Sequence, residues 1–388
     1  MDTGKIRVLF VENAGLLSAG AFQSLVVLIG HLREYGVESH IILPDRADAA
    51  DGVRLLREKG IPFMQMRGCS YTWNIRQSAG RRERWKMPFK EIFVRLASLR
   101  AARYVRRNKI TIIHENTSAC YMGMYVARLT GARHVWHIRE FMEEDFHMEF
   151  RNRKQAIRLF RRSDAVIAIS GAIFQKYAGE LDQDRLHLIY NGVPGDRFYK
   201  PEKKIFEEKV PLILCAGRIN PGKGQDILIR AVGILKQRAS LTVRVKLAGA
   251  CEPDLYEKLY ALAADCGVED EVEFLGHCND MPKLYERSDI YCMCSRCEAF
   301  GRVTVEAMMS GDLVIGSDSG GTSEVIRHGQ NGLLFEPGNA EDLARQLLYA
   351  LGHRQEMKKL ADAGRTEAMK KYESGINARH VYELYRSL

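Results

Sequence analysis

The sequence lacks the long apolar segments that mark membrane-spanning and secreted proteins. No run of about 18 apolar residues occurs in its 388 residues, so no segment is predicted to cross a membrane. The apolar strand near the N-terminus, at 5–11, is too short for the core of a signal peptide. We therefore expect a cytoplasmic protein.

Cysteine is scattered, and metal-binding motifs are missing. The nine cysteines are an odd number, which argues against a disulfide framework and for a reducing compartment. Cys292, Cys294 and Cys297, with His277 and Cys278 upstream, raise the question of a metal site. However, Cys292 and Cys294 alternate along a strand-like run, and the second half of a metal knuckle is absent. Asp318 is followed by Ser319 and Gly320 and so lacks the second acid of a D-x-D metal motif, and we predict no bound metal.

The net positive charge of the chain comes from its first half. Residues 1–200 carry 33 Lys and Arg against 21 Asp and Glu, whereas the remainder carries 25 against 28. Such a field favours an anionic partner for the first half, which can be a membrane surface, an acidic acceptor or nucleic acid.

Strand and helix patterns alternate along the whole chain. An apolar strand at 5–11 runs into a glycine-containing loop, and apolar residues from 22 to 32 then recur at helical spacing. The loop lacks the G-x-G-x-x-G of nicotinamide-binding folds. A charged linker at about 195–210 precedes a second alternation of the same kind. The pattern predicts the α/β class, with doubly wound Rossmann-like domains at 1–200 and 201–372 and a last helix at 373–388.

Two carboxylates, Glu298 and Glu306, lie eight positions apart. Between them, Phe300 and Gly301 form a predicted turn that opens a helix over 302–310. A carboxylate accepts two hydroxyls at once, as sugar and ribose diols require, and a helix start after glycine binds phosphate. The spacing therefore predicts two acids that flank a phosphate. The alternative is that both are solvated surface charges.

A basic loop follows the first predicted strand of the second domain. It begins at Gly217 and carries Arg218 and Lys223, which can clamp a diphosphate as a fork and a point charge. It is not a Walker loop, because Gly224 stands where the hydroxyl residue belongs. The alternative is an exposed loop with ordinary surface cations. Two cations and backbone amides can stabilise a departing diphosphate without a metal.

The stretch from Glu298 to Glu306 resembles the E-x7-E signature of the retaining glycosyltransferases of family 4. The family's continuation is matched at Ala307, Met308, Gly311, Gly316, Gly320, Gly321, Thr322, Glu324, Asn331, Gly332 and Leu333. One departure is Asp312, where the family usually places a proline. We expect Asp312 at the entrance of the next strand.

The resemblance implies the GT-B fold, in which two Rossmann-like domains face each other across a cleft, and it implies roles for single residues. Catalytic roles fall on Arg218, Lys223, Glu298 and His137, and donor-binding roles fall on Glu306, Phe300, Gly301, Arg302, Val303, Gly276, His277, Gly217 and Gly20. Glu298 would bind the donor sugar, Glu306 the ribose, and the backbone at Gly276 the base. His137 would orient the sugar or accept a hydrogen bond from it, with Arg139 and Glu140 as weaker candidates beside it.

The activity that the resemblance implies is transfer of a hexose-type sugar from a UDP- or GDP-sugar to a hydroxyl acceptor, with retention. Cell-envelope polysaccharide, lipopolysaccharide or glycolipid synthesis is the expected setting, and no cofactor is needed besides the donor substrate. One alternative is a nucleotide-sugar epimerase of the same fold, which would consume the donor without an acceptor. Another is a non-catalytic binder of glycan or nucleic acid, for which the charged set at 218, 223, 298 and 306 would be superfluous.

The region 76–107 combines cations with apolar residues at helical spacing, at 89, 92, 93 and 96. A basic amphipathic helix can lie on an anionic membrane. The alternative is a helix that faces the core with a solvated basic back. Because the resemblance assigns acceptor selection to this half, we expect a lipid-linked or glycan acceptor and no nucleic acid. The protein can then work at the inner face of the membrane.

Overall fold

A computed structural model describes residues 5–17, 19–78 and 81–388, and for 81–88 the backbone alone. The chain forms two compact units, Met1–Gly192 with Ser374–Leu388, and Val193–Glu373. The division lies at 192 rather than at the expected 200, because the intervening residues bind the second unit. The Val193 amide donates to the Tyr372 carbonyl (2.9 Å), and the Ser310 hydroxyl donates to the Phe198 carbonyl (2.9 Å).

The first unit is built on a parallel sheet. Its strands are β1 (Arg7–Val11), β2 (Glu38–Leu43), β3 (Phe63–Gln65), β5 (Ile112–Glu115), β6 (Arg133–Ile138), β8 (Ala165–Ala168) and β9 (Leu186–Leu188), and a separate antiparallel pair is β4 (Asn74–Arg76) with β7 (Met148–Phe150). Its helices are α1 (Gly20–Glu34), α2 (Ala50–Glu58), α3 (Arg81–Arg107), α4 (Met122–Thr130), α5 (Arg153–Phe160), α6 (Gly171–Ala178) and, from the end of the chain, α15 (Ser374–Ser387). The strand order in the described sheet is β3-β2-β1-β5-β6-β8-β9.

The second unit repeats this plan. Its strands are β10 (Leu212–Ala216), β11 (Arg244–Ala248), β12 (Val272–Gly276), β13 (Ile290–Met293), β14 (Leu313–Ser317) and β15 (Leu333–Phe335). Its helices are α7 (Gly195–Phe198), α8 (Gln225–Ala239), α9 (Pro253–Asp265), α10 (Met281–Arg287), α11 (Arg302–Ser310), α12 (Thr322–Val325), α13 (Ala340–Gly352) and α14 (Arg354–Tyr372). The strand order is β12-β11-β10-β13-β14-β15, again with every pairing parallel.

The strand orders confirm the prediction of an α/β chain with two doubly wound sheets. The central strands β1, β10 and β14 are almost fully buried and rich in Val, Ile and Leu, as parallel sheets covered on both faces require. In each sheet the order reverses between the first and the fourth strand, which is between β1 and β5 and between β10 and β13. Ligands of such sheets bind outside the carboxyl ends of the strands at these switch points. None of the described helices is long and apolar enough to span a membrane.

Candidate functional site

The switch point of the second sheet brings the predicted basic loop and the predicted acid together. β10 leads into the loop with Arg218 and Lys223, and its neighbour β13 leads into the loop with Glu298. The Lys223 ammonium donates to Oε2 of Glu298 over 2.9 Å, and the two side chains are 20% and 17% exposed. This contact joins residues 75 positions apart, as the doubly wound topology predicts.

Close backbone contact fixes the spacing of these two loops. Gly224 has φ +69°, and a Cβ atom there would lie 2.1 Å from the Cys294 carbonyl oxygen. The Arg296 amide also donates to the Gly222 carbonyl over 2.9 Å. A larger residue at 224 would push the loops apart, so this glycine keeps Lys223 within reach of Glu298.

The glycine pair of the motif supports the acid from behind. The Gly321 amide donates to the Glu298 carbonyl over 2.7 Å. A Cβ atom on Gly320 would lie 2.5 Å from the same carbonyl oxygen. These close contacts with the Glu298 loop explain why both positions are glycine.

Arg218 is exposed, unlike its partner in the predicted clamp. Within the described parts of the chain its guanidinium forms neither a hydrogen bond nor an ion pair, and only its carbonyl accepts, from the Gln225 amide (3.4 Å). The site therefore holds one cation that is already paired and one that is available to a ligand.

Helix α11 has the bounds that the sequence predicted, and it carries Glu306. Gly301 precedes the helix with φ +83°, and its Cβ position would lie 3.4 Å from Cγ of Glu298. Glu306 is 8% exposed and accepts from the Tyr285 hydroxyl (3.2 Å) and from Nη2 of Arg302 (3.3 Å). Burial raises the pKa of Glu306, against the opposing effect of Arg302. Arg302, predicted to bind the donor, thus contacts the acid of its own helix.

A buried tyrosine lies beside both acids, and the sequence analysis did not identify it. The Tyr291 hydroxyl donates to the Ala216 carbonyl over 3.1 Å. Its pKa is raised well above the usual value, first by burial, then by Cys215, and further by Glu298 and Glu306. Tyr291 is part of an apolar strand run, so no sequence signal separated it from core residues.

The remaining donor-binding candidates lie at several places on the second unit. The Phe300 side chain is buried and packs edge-on against Tyr372 with ring centroids 5.5 Å apart. Val303 is half-buried, and its carbonyl accepts from Tyr285 (3.3 Å). Gly276 ends the edge strand β12 with φ +64°, and His277 after it is exposed. Gly217 has φ +133°.

His137 belongs to the first unit, near the end of β6, and its side chain is fully buried. Its Nδ1 contacts His114 Nε2 (3.1 Å) and Arg139 Nη2 (3.2 Å), and its Nε2 has no hydrogen-bond partner among the described residues. Glu140 is occupied structurally, since it accepts from the amides of Ser118 and Arg139. Gly20 is the first residue of α1, and Ser18 of the same loop lies outside the described residues.

Asp312 directly precedes β14 and so lies at the entrance of this strand, as we expected. It is fully buried, with Oδ1 3.0 Å from the Lys203 ammonium, and it also accepts from the Ser288 hydroxyl. The acid at this position thus neutralises a buried lysine of the linker.

No group of His, Cys, Asp and Glu that could hold a metal occurs in the described parts of the chain. Cys292 and Cys294, which had raised the question of a metal, are free thiols buried in the core of the second unit.

The family model for glycosyl transferases group 1 matches residues 196–367, and that for glycosyltransferase family 4 matches residues 19–197. Among similar proteins, the mannosylfructose-phosphate synthase of Agrobacterium fabrum is 26% identical over 309 residues, which are 69% of this chain and 67% of that protein. A GDP-mannose-dependent alpha-(1-6)-phosphatidylinositol monomannoside mannosyltransferase of Mycobacterium tuberculosis is 29% identical over 62% of this chain and 66% of that protein.

Solved structures agree in fold. The Anabaena protein HepE, in complex with UDP and glucose, superposes with a TM-score of 0.81 over 99% of this chain and 100% of that one, at 23% identity. The two matching family models, the paired doubly wound sheets and this superposition lead to one conclusion: the chain belongs to the family 4 glycosyltransferases and has the GT-B fold.

Proposed function

We propose that the chain transfers a hexose from a UDP- or GDP-sugar to a hydroxyl acceptor with retention of the anomeric configuration. The observation that supports this most strongly is the Lys223–Glu298 contact at the switch point of the second sheet. A cation for phosphate and an acid for sugar hydroxyls lie within hydrogen-bond distance there, with the available Arg218 on the same loop.

The donor diphosphate would bind the cations of the basic loop and the amides at the start of α11. In transfer, the bond between the anomeric carbon and the phosphate oxygen breaks, and negative charge grows on the diphosphate. Cations fixed before the reaction stabilise this charge without reorganisation, so we propose that no metal is required. Lys223 would leave Glu298 for the phosphate, and Glu298 would then accept hydrogen bonds from sugar hydroxyls.

Retention places the attack on the face that the leaving group occupied. The acceptor oxygen forms the new bond to the anomeric carbon while its proton passes to the departing phosphate oxygen. The products are the glycosylated acceptor and a nucleoside diphosphate that carries the acceptor's proton. In this scheme the carboxylates position hydroxyls, and no side chain forms a covalent intermediate.

The relatives support a hexose donor. The Agrobacterium protein is a mannosylfructose-phosphate synthase, the Mycobacterium protein is a GDP-mannose-dependent mannosyltransferase, and the Anabaena structure holds UDP and glucose. We infer that the donor is among GDP-mannose, UDP-glucose and their close analogues. Glu306 accepts hydrogen bonds from Tyr285 and Arg302, and it would bind the hydroxyls of the ribose rather than the base.

We also propose that α3 docks the protein on an anionic membrane, which fits a lipid-linked acceptor. The alternative interpretation required the large apolar residues of α3 to face the core. They do not. They are exposed by 49–58%, and they are Phe89, Ile92, Phe93, Leu96 and Leu99. They recur at helical spacing and therefore share a face.

Small residues and a polar cluster bind the opposite face of α3 to the first unit. Val94, Ser98 and Ala101 are buried at that spacing. Glu91 accepts from the hydroxyls of Tyr121 (2.8 Å) and Tyr125 (2.6 Å) on the α4 side. Since this face is already packed, the exposed apolar face is not needed for folding.

Cations continue this surface toward the end of the helix. The exposed arginines of that segment are Arg95, Arg100, Arg103, Arg106 and Arg107. Apolar insertion combined with attraction to anionic headgroups is the chemistry of an interfacial helix. We therefore propose a peripheral position at the inner face of a membrane.

The proposed activity is tested by incubating the protein with UDP-glucose, GDP-mannose or ADP-glucose, with and without a bacterial lipid extract as acceptor. We expect one donor to release its nucleotide only when acceptor is present, equally with EDTA, and to give a product whose anomeric configuration by NMR is that of the donor. Donor turnover without acceptor would favour the epimerase. Loss of activity with EDTA that manganese restores would contradict metal independence, and no nucleotide binding would favour a non-catalytic binder.

A further inference from the structure

A buried chain of hydrogen bonds connects the C-terminal helix α15 to His137 in the first unit. The Tyr385 hydroxyl lies 2.6 Å from His114 Nδ1, and His114 Nε2 lies 3.1 Å from His137 Nδ1. The three side chains are exposed by 3%, 0% and 0%, respectively. Sequence analysis found neither Tyr385 nor His114, which are 271 residues apart.

Arg139 determines which nitrogen of each ring carries the proton. Its Nη2 lies 3.2 Å from His137 Nδ1, and a guanidinium can only donate. His137 Nδ1 therefore accepts, and the proton of the neutral ring is on Nε2. His114 faces the same acceptor and must donate from its own Nε2. Its Nδ1 then accepts from the Tyr385 hydroxyl.

Both rings stay neutral in this environment. Burial lowers the pKa of His137 well below its usual value, and Arg139 and His114 lower it further. Burial and Arg139 do the same for His114. Each donor and acceptor role above is thus retained across the neutral pH range.

We propose that Tyr385 and His114 are positioning residues, through which α15 holds the His137 ring with its Nε2–H ready to donate to a substrate oxygen. The proposal rests on the proposed glycosyl transfer, in which sugar hydroxyl oxygens are the available acceptors. The buried Nε2 has no protein partner among the described residues, and a buried donor that is left unpaired destabilises the folded protein. His137 would then orient the sugar as a hydrogen-bond donor, which is one form of the orienting role that the resemblance implies.

The direct test is a long-range ¹H–¹⁵N correlation spectrum of the histidine-labelled full chain, which shows the protonated nitrogen of each neutral ring. A His137→Gln spectrum assigns His137, and a His114→Gln spectrum assigns His114. In the native protein we expect both rings to carry the proton on Nε2, at pH 8 and at pH 6 alike. A proton on Nδ1 of His137 would overturn the proposal.

The contribution of α15 is tested with Tyr385→Phe, which removes only the hydroxyl. Tyr382→Phe is the matched control, because Tyr382 is on the same helix and stacks on Tyr35 with centroids 4.7 Å apart. We expect Tyr385→Phe to shift the Nδ1 signal of His114, because this nitrogen loses its donor while the proton of the ring stays on Nε2, and to lower kcat roughly three- to tenfold, the scale of one hydrogen bond. Tyr382→Phe should change neither. Identical spectra and kcat for the two variants would overturn the proposal.

A second pair of variants decides the question if Tyr385→Phe does not fold. His114→Gln keeps a donor for His137 and an acceptor for Tyr385, whereas His114→Leu is of similar size and keeps neither. We expect the Nδ1 signal of His137 to stay close to its native position in His114→Gln and to shift in His114→Leu, which removes one of the two donors to this nitrogen; equal spectra would refute the positioning role. These spectra need no substrate, so failure of the proposed glycosyl transfer is distinguishable from failure of the positioning role.

Discussion

Lys223 and Glu298 form an ion pair at the switch point of the second sheet, with Nζ 2.9 Å from Oε2. The acid thus neutralises one of the two cations proposed to bind the diphosphate. Donor binding would replace this pair by two contacts, lysine to phosphate and carboxylate to sugar.

Glu298→Gln separates these two contacts. Because the variant releases Lys223, we expect UDP or GDP alone to bind as tightly as to the native protein or more tightly. We expect turnover of the sugar donor to fall roughly 10- to 100-fold, the worth of a hydrogen bond to a charged group. Calorimetry and steady-state kinetics measure the two effects. Glu341→Gln, at an exposed acid paired with Arg238, is the control. Nucleotide binding that weakens as much as turnover would contradict the exchange of partners.

Because Lys203 and Asp312 form a buried ion pair, we expect substitutions at the two positions to have strongly coupled effects on the free energy of unfolding. Their side chains are 4% and 0% exposed, and the atoms lie 3.0 Å apart. Removing one partner leaves a buried charge, so we expect Asp312→Leu or Lys203→Met alone to cost about 3–5 kcal/mol. The double variant should cost less than either single one. Urea unfolding of the four proteins gives the coupling energy.

The exposed pair of Arg238 and Glu341 is a matched control for this cycle. Its side chains are 67% and 57% exposed, so its coupling should not exceed about 1 kcal/mol. Additive losses at Lys203 and Asp312 would contradict the expected coupling.

Acid should destabilise the first unit through His134. This buried ring contacts the Ser163 hydroxyl (3.0 Å), and burial lowers its pKa to about 3. Below pH 6.5 His134 binds a proton in the unfolded chain but not in the folded chain, so the folded state loses stability as the pH falls. We expect His134→Gln to reduce the slope of unfolding free energy between pH 6.5 and 5 by up to about 1.4 kcal/mol per pH unit.

Tryptophan fluorescence is the suitable signal, because Trp73, Trp85 and Trp136 all belong to the first unit. His147→Asn changes an exposed histidine of the same unit and should leave the slope unchanged. Equal slopes for the native protein and His134→Gln would show that this histidine does not control the acid sensitivity.

The exposed face of α3 predicts binding to vesicles. The native protein should sediment with vesicles that contain anionic lipid at low salt, and less with neutral ones. Ile92→Ser with Phe93→Ser removes two large apolar side chains, so we expect at least tenfold weaker partitioning. The control is Tyr256→Ser with Tyr260→Ser, which removes exposed aromatic residues from the second unit. No vesicle binding, or equal binding of the two double variants, would contradict membrane docking.

The long periodic elements could be predicted from the sequence, and the short or long-range features could not. Helix 302–310 was predicted with its observed bounds, because a glycine precedes it and another follows it. The three-residue strands β3 and β15 have too few positions to show a period. Helical spacing showed that the apolar residues of α3 share a face, but it could not tell that this face is exposed.

The same limit applies to the site. Arg218, Lys223 and Glu298 follow strand ends, so topology and family resemblance together placed them in one region. Tyr291, His114 and Tyr385 are ordinary strand and helix residues in the sequence. The residues that they contact come close only in the folded chain, and a single sequence carries no signal for such long-range pairs.

Calorimetric titration of UDP and GDP against the native protein and Arg218→Ala tests most directly whether the second unit binds a nucleotide diphosphate. Arg230→Ala, at an exposed arginine on α8, is the control. We predict that one nucleotide binds with a 1:1 stoichiometry and that Arg218→Ala weakens this binding roughly 10- to 100-fold, while Arg230→Ala does not. Equal affinities for the native protein and Arg218→Ala, or no binding of either nucleotide, would contradict the proposed donor site.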